Sequence, residues 1–463
     1  MQFVMMFFIL LCSVLSGHAA NQNVVVETVE SVDNAPLGKG DSVTATLITL
    51  SEAVQQAVDT HPAVLGQLAA RLAAEEGVSI NRAGFLPSID LRISAGYEKS
   101  HNEVTRSRRL SGEYNTSYKG LWRNDQSLTI SQMLFDGFAT SGQTKAARFE
   151  VESTGETLYD VSEQIGLRAI EAYLDVMRFR QLAVLAKENV TDHEETLNKV
   201  FVRAQAGGGP QADVEQTLSR LADAKVQLLD IEGGVRDTDA RYLEVFGQFP
   251  KALVMPQRPK KLMPEDVATA VKKSLADNHN LKASGAQMKA RQADLTVARA
   301  AYMPRVNIEL STLRQENLDG LSGVGQDVTG MAVVRYNLFH GGADSARRVK
   351  AQHLLRRARL HQAEVSRQVE QNARISFSSL ETTNKRLPVL VENVAKIRKV
   401  LANYQNQFNL GKRSLLDLLD TQSELFNAKA KLLNGDIANT FAHYRMMGAM
   451  NSLLQGIGVA VKK

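Results

Sequence analysis

Polar and apolar residues alternate along four short stretches of the chain. In the first, Ile89, Leu91 and Ile93 alternate with polar residues, which predicts a β-strand with one apolar and one polar face. A second strand is predicted from Ser127 to Phe135, and the same pattern returns from Val306 and again from Val334. We expect each strand to have about the 9–11 residues that a tilted strand needs to cross a bilayer.

Helical patterns fill most of the remaining chain. Residues 47–83 predict a helix that ends at Gly84 and Pro87, and two much longer helices are predicted over 141–206 and 343–410. At ~1.5 Å per residue, each long helix would extend on the order of 100 Å. Glycine turns at Gly207 and Gly411 then reverse the chain into a second long helix, where leucines recur every seven residues as in coiled coils.

These elements occur twice, because residues 126–230 match residues 330–434 at a constant offset of 204. The duplication predicts a first structural repeat over 47–261 and a second over 262–455, followed by a tail at 456–463. The fold class is therefore mainly α with a small β part, built from a duplicated unit of long coiled-coil helices and four β-strands.

The amino terminus resembles a secretory signal. An apolar run from Phe3 to Leu15 ends in small residues, which predicts a signal peptide over 1–20 and a flexible lead over 21–46. The alternative is an uncleaved membrane anchor. The single cysteine, Cys12, lies inside this segment, so disulfide frameworks and cysteine metal sites are excluded from the mature chain.

Composition and motifs argue against several other functions. The net charge is only +5, and no basic run is interleaved with aromatic residues, so a nucleic-acid partner is not expected. The nine histidines are scattered, without the spacing of a metal site. We find no nucleophile–base arrangement and no complete phosphate-binding loop, so no catalytic, cofactor or metal residues are predicted and an enzyme is not expected.

Four strands raise a closure problem. Beyond the first 20 residues no run reaches the ~18 apolar residues of a membrane helix, so a membrane crossing would need a closed barrel. The smallest bacterial barrels use about eight strands, so one chain is too small. A cyclic homotrimer would supply twelve, although periodicity alone also permits a tetramer.

At this point the chain resembles the TolC family of outer-membrane export ducts. The resemblance covers residues from about 47 to 455, and its motifs are His61-Pro62, Leu134-Phe135-Asp136-Gly137, Leu338-Phe339-His340-Gly341-Gly342 and 411–420. It implies a homotrimer whose twelve-stranded barrel sits in outer-membrane lipid and continues as a helical tunnel across the periplasm. It further implies that the inner end stays shut until an inner-membrane transporter and its periplasmic adaptor dock.

The cargo is a finer question. Residues 132–140 look most like the branch of the family that serves type I secretion, including exporters of very large adhesins. Export of small molecules by a tripartite drug efflux pump is the alternative within the family. A periplasmic coiled-coil scaffold without a pore is the alternative outside it, although such a scaffold would not need the four alternating strands.

The candidate gate lies at the helix turns. Asp417 and Asp420 are three residues apart, so both carboxylates share one helix face, and they match the pore-lining aspartates of the family's inner constriction. From spacing alone, a solvated helix start is the alternative. Arg413 matches the family's gate arginine, and we expect Asp213 to be its partner.

Two further features of the gate follow from the resemblance. Phe408 stands where the family often carries a tyrosine, so a hydroxyl hydrogen bond is absent and the closed state should depend more on Arg413 and packing. The adaptor is expected to dock near Gly207 and Gly411.

Tyr114, Tyr118 and Trp122 are predicted to lie in an extracellular loop or an aromatic girdle.

Overall fold

The computed structural model describes residues 48–462. The predicted signal peptide over 1–20, with Cys12, and the lead over 21–46 lie outside the described residues. Within 48–462, no helix is both long and apolar enough to cross a membrane.

The first helical stretch is two helices, so the prediction of one helix over 47–83 was wrong. Helix α1 spans Leu50–Thr60 and begins with a capping box between Thr49 and Glu52. Helix α2 spans Pro62–Ala83. The break falls at His61, whose backbone is extended (φ −67°, ψ 128°), because a following proline disfavours helical backbone in the residue before it.

Four antiparallel strands form one sheet in the order β1-β2-β3-β4. They span Ser88–Ser100, Lys119–Phe135, Arg305–Glu316 and Val324–Arg335. Strand β4 therefore lies about ten residues earlier than predicted. Its last residue pairs with Arg305, the first residue of β3, and Pro304 precedes that pair, so residues beyond 335 have no strand to join.

The strand register collects the apolar residues on one face of the sheet. Ile89 pairs with Ile130, which pairs with Leu310, and the neighbouring row joins Leu91 to Leu128. The row between them, on the opposite face, consists of Asp90, Thr129, Ser311 and Thr329. Because facing residues in a ladder point to the same side, these rows give the middle of the sheet one apolar and one polar face.

The polar stretch between β1 and β2 contains structure that the sequence analysis missed. A short helix, α3, spans Glu103–Leu110 and begins with a capping box between Asn102 and Thr105. Trp122 lies in β2 and contacts Tyr97 edge-on, with ring centroids 5.9 Å apart. Tyr114 lies in the loop after α3 and donates a hydrogen bond to the backbone oxygen of Gly320, in the loop between β3 and β4.

The two repeats each place two helices before their strands and two long helices after them. In the first repeat the long helices are α4, Ala139–Gln205, and α5, Gln211–Phe246. The second repeat begins with α6, Val267–Asp277, and α7, His279–Ala300, and its long helices are α8, Ala343–Asn409, and α9, Leu415–Ala449. A last helix, α10, spans Leu453–Ile457.

The helices pack side by side in two successions. Near the sheet the order is α2-α4-α7-α8, and towards the turns the α4–α5 pair packs against the α8–α9 pair through α4 and α9. Within the described residues, α2 is therefore an end member, and its outer side carries the exposed apolar residues Leu65, Leu72 and Ile80. Their spacing of seven and eight residues places them on one stripe of the helix.

The main hydrophobic core lies where the two repeats join. Tyr173 of α4 is fully buried, and its hydroxyl shares its one hydrogen between the backbone oxygens of Ile48 and Val254 while it accepts from the Val254 amide. These bonds fasten the segment between the repeats to the long helices. Glu163, also on α4, is buried beside α10, where its Oε1 accepts a hydrogen bond of 3.3 Å from the Leu454 amide.

Glu163 should make stability depend on pH. Its Oε2 has no hydrogen-bond partner among the described residues, and burial raises the pKa of its carboxyl from 4.5 to about 7. A raised folded-state pKa means that folding is most favoured below pH 4.5 and loses stability as the pH rises towards 7. We therefore expect Glu163→Gln to raise the free energy of unfolding at pH 8 by about 1–3 kcal/mol, at ~1.4 kcal/mol per pKa unit.

The measurement is the unfolding temperature of the detergent-solubilised protein at pH 8 and pH 4.5. The gain should be present at pH 8 and nearly absent at pH 4.5. The same substitution at Glu171, an exposed position on the same helix, is the control and should change neither value. An equal gain at both pH values would contradict the assignment of a buried charge to Glu163.

Candidate gate at the helix turns

Two helix turns that are 204 residues apart in sequence meet at one end of the molecule. Gly207, in the α4–α5 turn, and Gly411, in the α8–α9 turn, have φ values of +73° and +70°. Glycine adopts this left-handed backbone without steric cost, so it allows both reversals. A buried cluster from both turns joins them: Val200, Val214, Phe408, Leu415, Leu418 and Leu419.

Asp417 belongs to the start of α9. Ser414 caps the helix, since its Oγ accepts from the Asp417 amide at 3.2 Å and donates to Asp417 Oδ2 at 2.6 Å. A carboxylate in the first turn also interacts favourably with the helix dipole. The Asp417 side chain thus has a structural role in the cap as well as its predicted place at the constriction.

Arg413 is held by contacts within its own chain. Its Nε lies 3.0 Å from Asp417 Oδ2, close enough for an ion pair, although this N–H is not aimed at the oxygen as a hydrogen bond requires. Its guanidinium carbon lies 3.8 Å from the centre of the Tyr404 ring, which is a cation–π geometry. Stacking on Tyr404 is the better-formed of the two contacts.

Asp213 is the partner that the sequence suggested for Arg413. It lies in the first turn of α5 and is half-buried, and its side chain makes no ion pair among residues 48–462. Arg413 instead meets the repeat counterpart of that residue, Asp417. The Arg413–Asp213 pair stays a prediction.

Asp420 is also paired within the chain. Arg220, on α5, places its Nη2 2.7 Å from Asp420 Oδ1 on α9, and the side chains are 36% and 56% exposed. The bond crosses from the first helix pair to the second. Each of the two predicted constriction aspartates therefore has an arginine beside it.

Phe408 lies in the buried cluster and is 8% exposed. The guanidinium carbon of Arg203 lies 5.6 Å from the Phe408 ring centre, and Arg203 Nε donates to the Gly208 backbone oxygen at 2.9 Å. Phe408 thus links the two turns through packing. The aromatic partner of Arg413 is Tyr404, one helical turn earlier.

Above the turns, the interface between the two helix pairs contains polar side chains. Gln422 of α9 donates to Thr196 Oγ1 of α4 at 2.9 Å, and His193 of α4 is 2% exposed. His193 Nδ1 and Gln422 Oε1 have no hydrogen-bond partner in the described part of the chain. Unpaired buried groups weaken an interface. The two helix pairs are thus joined less tightly here than an apolar seam would join them.

Sequence reasoning missed Arg203, Arg220 and Tyr404. Two of them could have been found from helical spacing, since Tyr404 precedes Phe408 by four residues and Arg220 follows Asp213 by seven. In residues 48–462, no three histidine, cysteine or acidic side chains gather into a possible metal site. The turns thus form a packed cluster with arginine contacts around it.

Comparison with known proteins identifies relatives for nearly the whole described chain. The family model described as "Outer membrane efflux protein" matches residues 53–247 and 270–449. The outer membrane efflux protein BepC of Brucella suis is 23% identical over 402 residues, covering 87% of this chain and 85% of BepC. The proteases secretion protein PrtF of Dickeya chrysanthemi is 23% identical over 378 residues, covering 78% and 79%.

Solved structures share the fold. A crystal structure of CusC superposes with a TM-score of 0.75 at 14% identity, covering 92% of this chain and 96% of CusC. The prediction of a mainly helical fold with a small β part is therefore confirmed.

Proposed function

The chain belongs to the outer membrane efflux protein family, and from this premise we propose that three copies form a passive duct through the outer membrane. The observation that carries the proposal is the sheet. Its register gives the middle of the sheet one apolar face, and among the described residues β1 and β4 each pair along one edge only. A sheet of this kind needs a further strand at both ends and an apolar medium on one side.

Cyclic association supplies both edges. Strand β4 of one copy pairs with β1 of the next, and three copies close a barrel of twelve strands, above the minimum of about eight. The helices need a neighbouring copy as well. The exposed apolar stripe of Leu65, Leu72 and Ile80 on α2 packs against α8 of the next copy. The apolar face of the barrel lies in lipid and the polar face lines the lumen.

The long helices extend the duct into the periplasm. Helices α4 and α8 have 67 residues each, which corresponds to about 100 Å. Their far ends carry the turns at Gly207 and Gly411, where Arg413, Asp417, Asp420 and Phe408 form the gate. A periplasmic adaptor docks at these turns. The duct is passive, so an inner-membrane transporter supplies the energy for export.

We assign the cargo to unfolded protein exported by type I secretion, including a large adhesin. The stretch 132–140 supports this assignment, and so does the similarity to PrtF, a protein named for protease secretion. Efflux of small molecules is the second candidate, supported by the similarity to BepC, which is named for efflux. The polar lumen has no selectivity for either, so the transporter that docks decides the cargo.

The experiment is removal of the gene followed by return of the wild-type copy in the source organism. We expect the deletion to retain a large surface or secreted protein inside the cell, with wild-type export restored by the returned copy. Susceptibility to a panel of toxic small molecules should change little. A large gain in susceptibility with normal protein export would overturn the secretion assignment in favour of efflux.

A further inference from the structure

We propose that Arg220 determines the ion selectivity of the inner constriction by neutralising Asp420. The inference rests on the proposed function, because it treats the helix turns as the narrowest part of a water-filled duct. The resemblance to the TolC family implies that Asp417 and Asp420 line the pore at this place. The structure pairs each carboxylate with a guanidinium of the same chain.

The geometry of the Arg220–Asp420 pair supports a persistent contact. The Nη2–Oδ1 distance of 2.7 Å is that of a charge-assisted hydrogen bond. Both residues lie within helices, Arg220 as the tenth residue of α5 and Asp420 as the sixth residue of α9. Helix packing therefore fixes the two backbones, and neither partner has to be recruited from a mobile loop.

The pairing changes the charge that a passing ion meets. An isolated carboxylate attracts cations and repels anions, and rings of such groups make a pore cation-selective. A carboxylate with a guanidinium at hydrogen-bond distance acts as a dipole, and its field falls off faster with distance than the field of a single charge. With Arg413 beside Asp417 and Arg220 beside Asp420, each of the two carboxylates has one guanidinium beside it.

The test measures the reversal potential of single channels in planar bilayers under a KCl gradient. The wild-type protein should discriminate weakly between potassium and chloride. Arg220→Gln leaves Asp420 unpaired in every subunit, so the ratio of cation to anion permeability should rise several-fold. The double variant Arg220→Gln with Asp420→Asn removes both charges and should return the ratio to the wild-type value.

Lys225→Gln is the matched control. Lys225 is also an ion-paired cation on α5, with Nζ 3.1 Å from Glu194 on α4, but its bond lies within one helix pair. This variant should keep the wild-type ratio. An unchanged ratio of cation to anion permeability in Arg220→Gln overturns the proposal. If conductance rises while this ratio stays the same, Arg220 only holds the gate shut. Absence of channels in the wild-type protein would instead overturn the proposed function.

Discussion

Replacement of Leu310 by arginine is expected to remove the protein from the outer membrane. Leu310 lies in the middle of β3, between Ile130 and Gly330 on the apolar face of the sheet. An arginine on the lipid side of a barrel costs about 2–4 kcal/mol at the bilayer midplane, and the cost recurs in each of three subunits. The measurement is the amount of heat-labile trimer in the outer-membrane fraction, which should fall to near zero.

Ser311→Arg is the control for this substitution. Ser311 is the next residue along the same strand, in the polar row with Thr129 and Thr329, so its side chain points to the lumen. The same arginine should there be hydrated and tolerated, with a wild-type yield of trimer. Equal losses in both variants, or none in either, would contradict the assignment of the two faces of the sheet.

Arg413→Ala is expected to raise single-channel conductance several-fold. The substitution removes the contact with Tyr404, worth about 0.5–1 kcal/mol at an exposed site, and an ion pair of about 0–1 kcal/mol. Summed over three subunits, the closed state loses on the order of a few kcal/mol. About 5.5 kcal/mol reverses a closed-to-open ratio of 99 to 1, so a loss of this order moves a large share of the population to the open state.

Three further variants assign the effect. Lys412→Ala removes the neighbouring exposed cation and should leave conductance unchanged. Tyr404→Leu removes the stacking surface and should reproduce most of the effect, whereas Asp213→Ala should do so only if Arg413 reaches Asp213 of another subunit. Wild-type conductance in Arg413→Ala would exclude this residue from the gate.

The sequence predicted the elements whose periodicity is sustained. The long helices were placed to within two residues of their observed ends, because a helical pattern over more than 60 residues leaves little room for another period. Short or polar elements were missed. Strand β2 begins at Lys119, eight residues before the predicted start, because the polar residues Arg123, Asn124 and Asp125 do not alternate with apolar ones.

Local backbone signals were present but were outweighed by the helical pattern. His61-Pro62 ends α1 and begins α2, and the capping residues Asn102 and Thr105 begin α3. In both places a few helix-capping or helix-breaking residues determine the structure. A pattern averaged over a longer window does not detect them.

The position of the candidate gate residues in the fold was predictable from the sequence, and their contacts were not. The motif at 411–420 placed Asp417 and Asp420 at the start of α9, and the structure has them there. The partner of Asp420 is Arg220, which is 200 residues away in sequence, so the contact depends on how two helix pairs pack. Arg413 pairs with Asp417, four residues along the chain, whereas the family resemblance suggested Asp213 in the other repeat.

If β4 of one subunit pairs with β1 of the next and three chains complete the ring, disulfides can join neighbouring subunits. Cross-linking in outer membranes measures this. The single native cysteine, Cys12, is first replaced by alanine, so engineered cysteines are the only thiols. One cysteine replaces Asp90 on the polar face of β1, and the second is moved along the polar face of β4 through positions 327, 329, 331 and 333.

We expect at least one of these pairs, on oxidation, to give a covalent ladder that ends at the mass of three chains and returns to one chain after reduction. A ladder that ends at four chains would replace the trimer by a tetramer. Monomer alone at all four positions, in protein recovered from the outer membrane, would contradict the closure of the sheet between subunits and with it the duct.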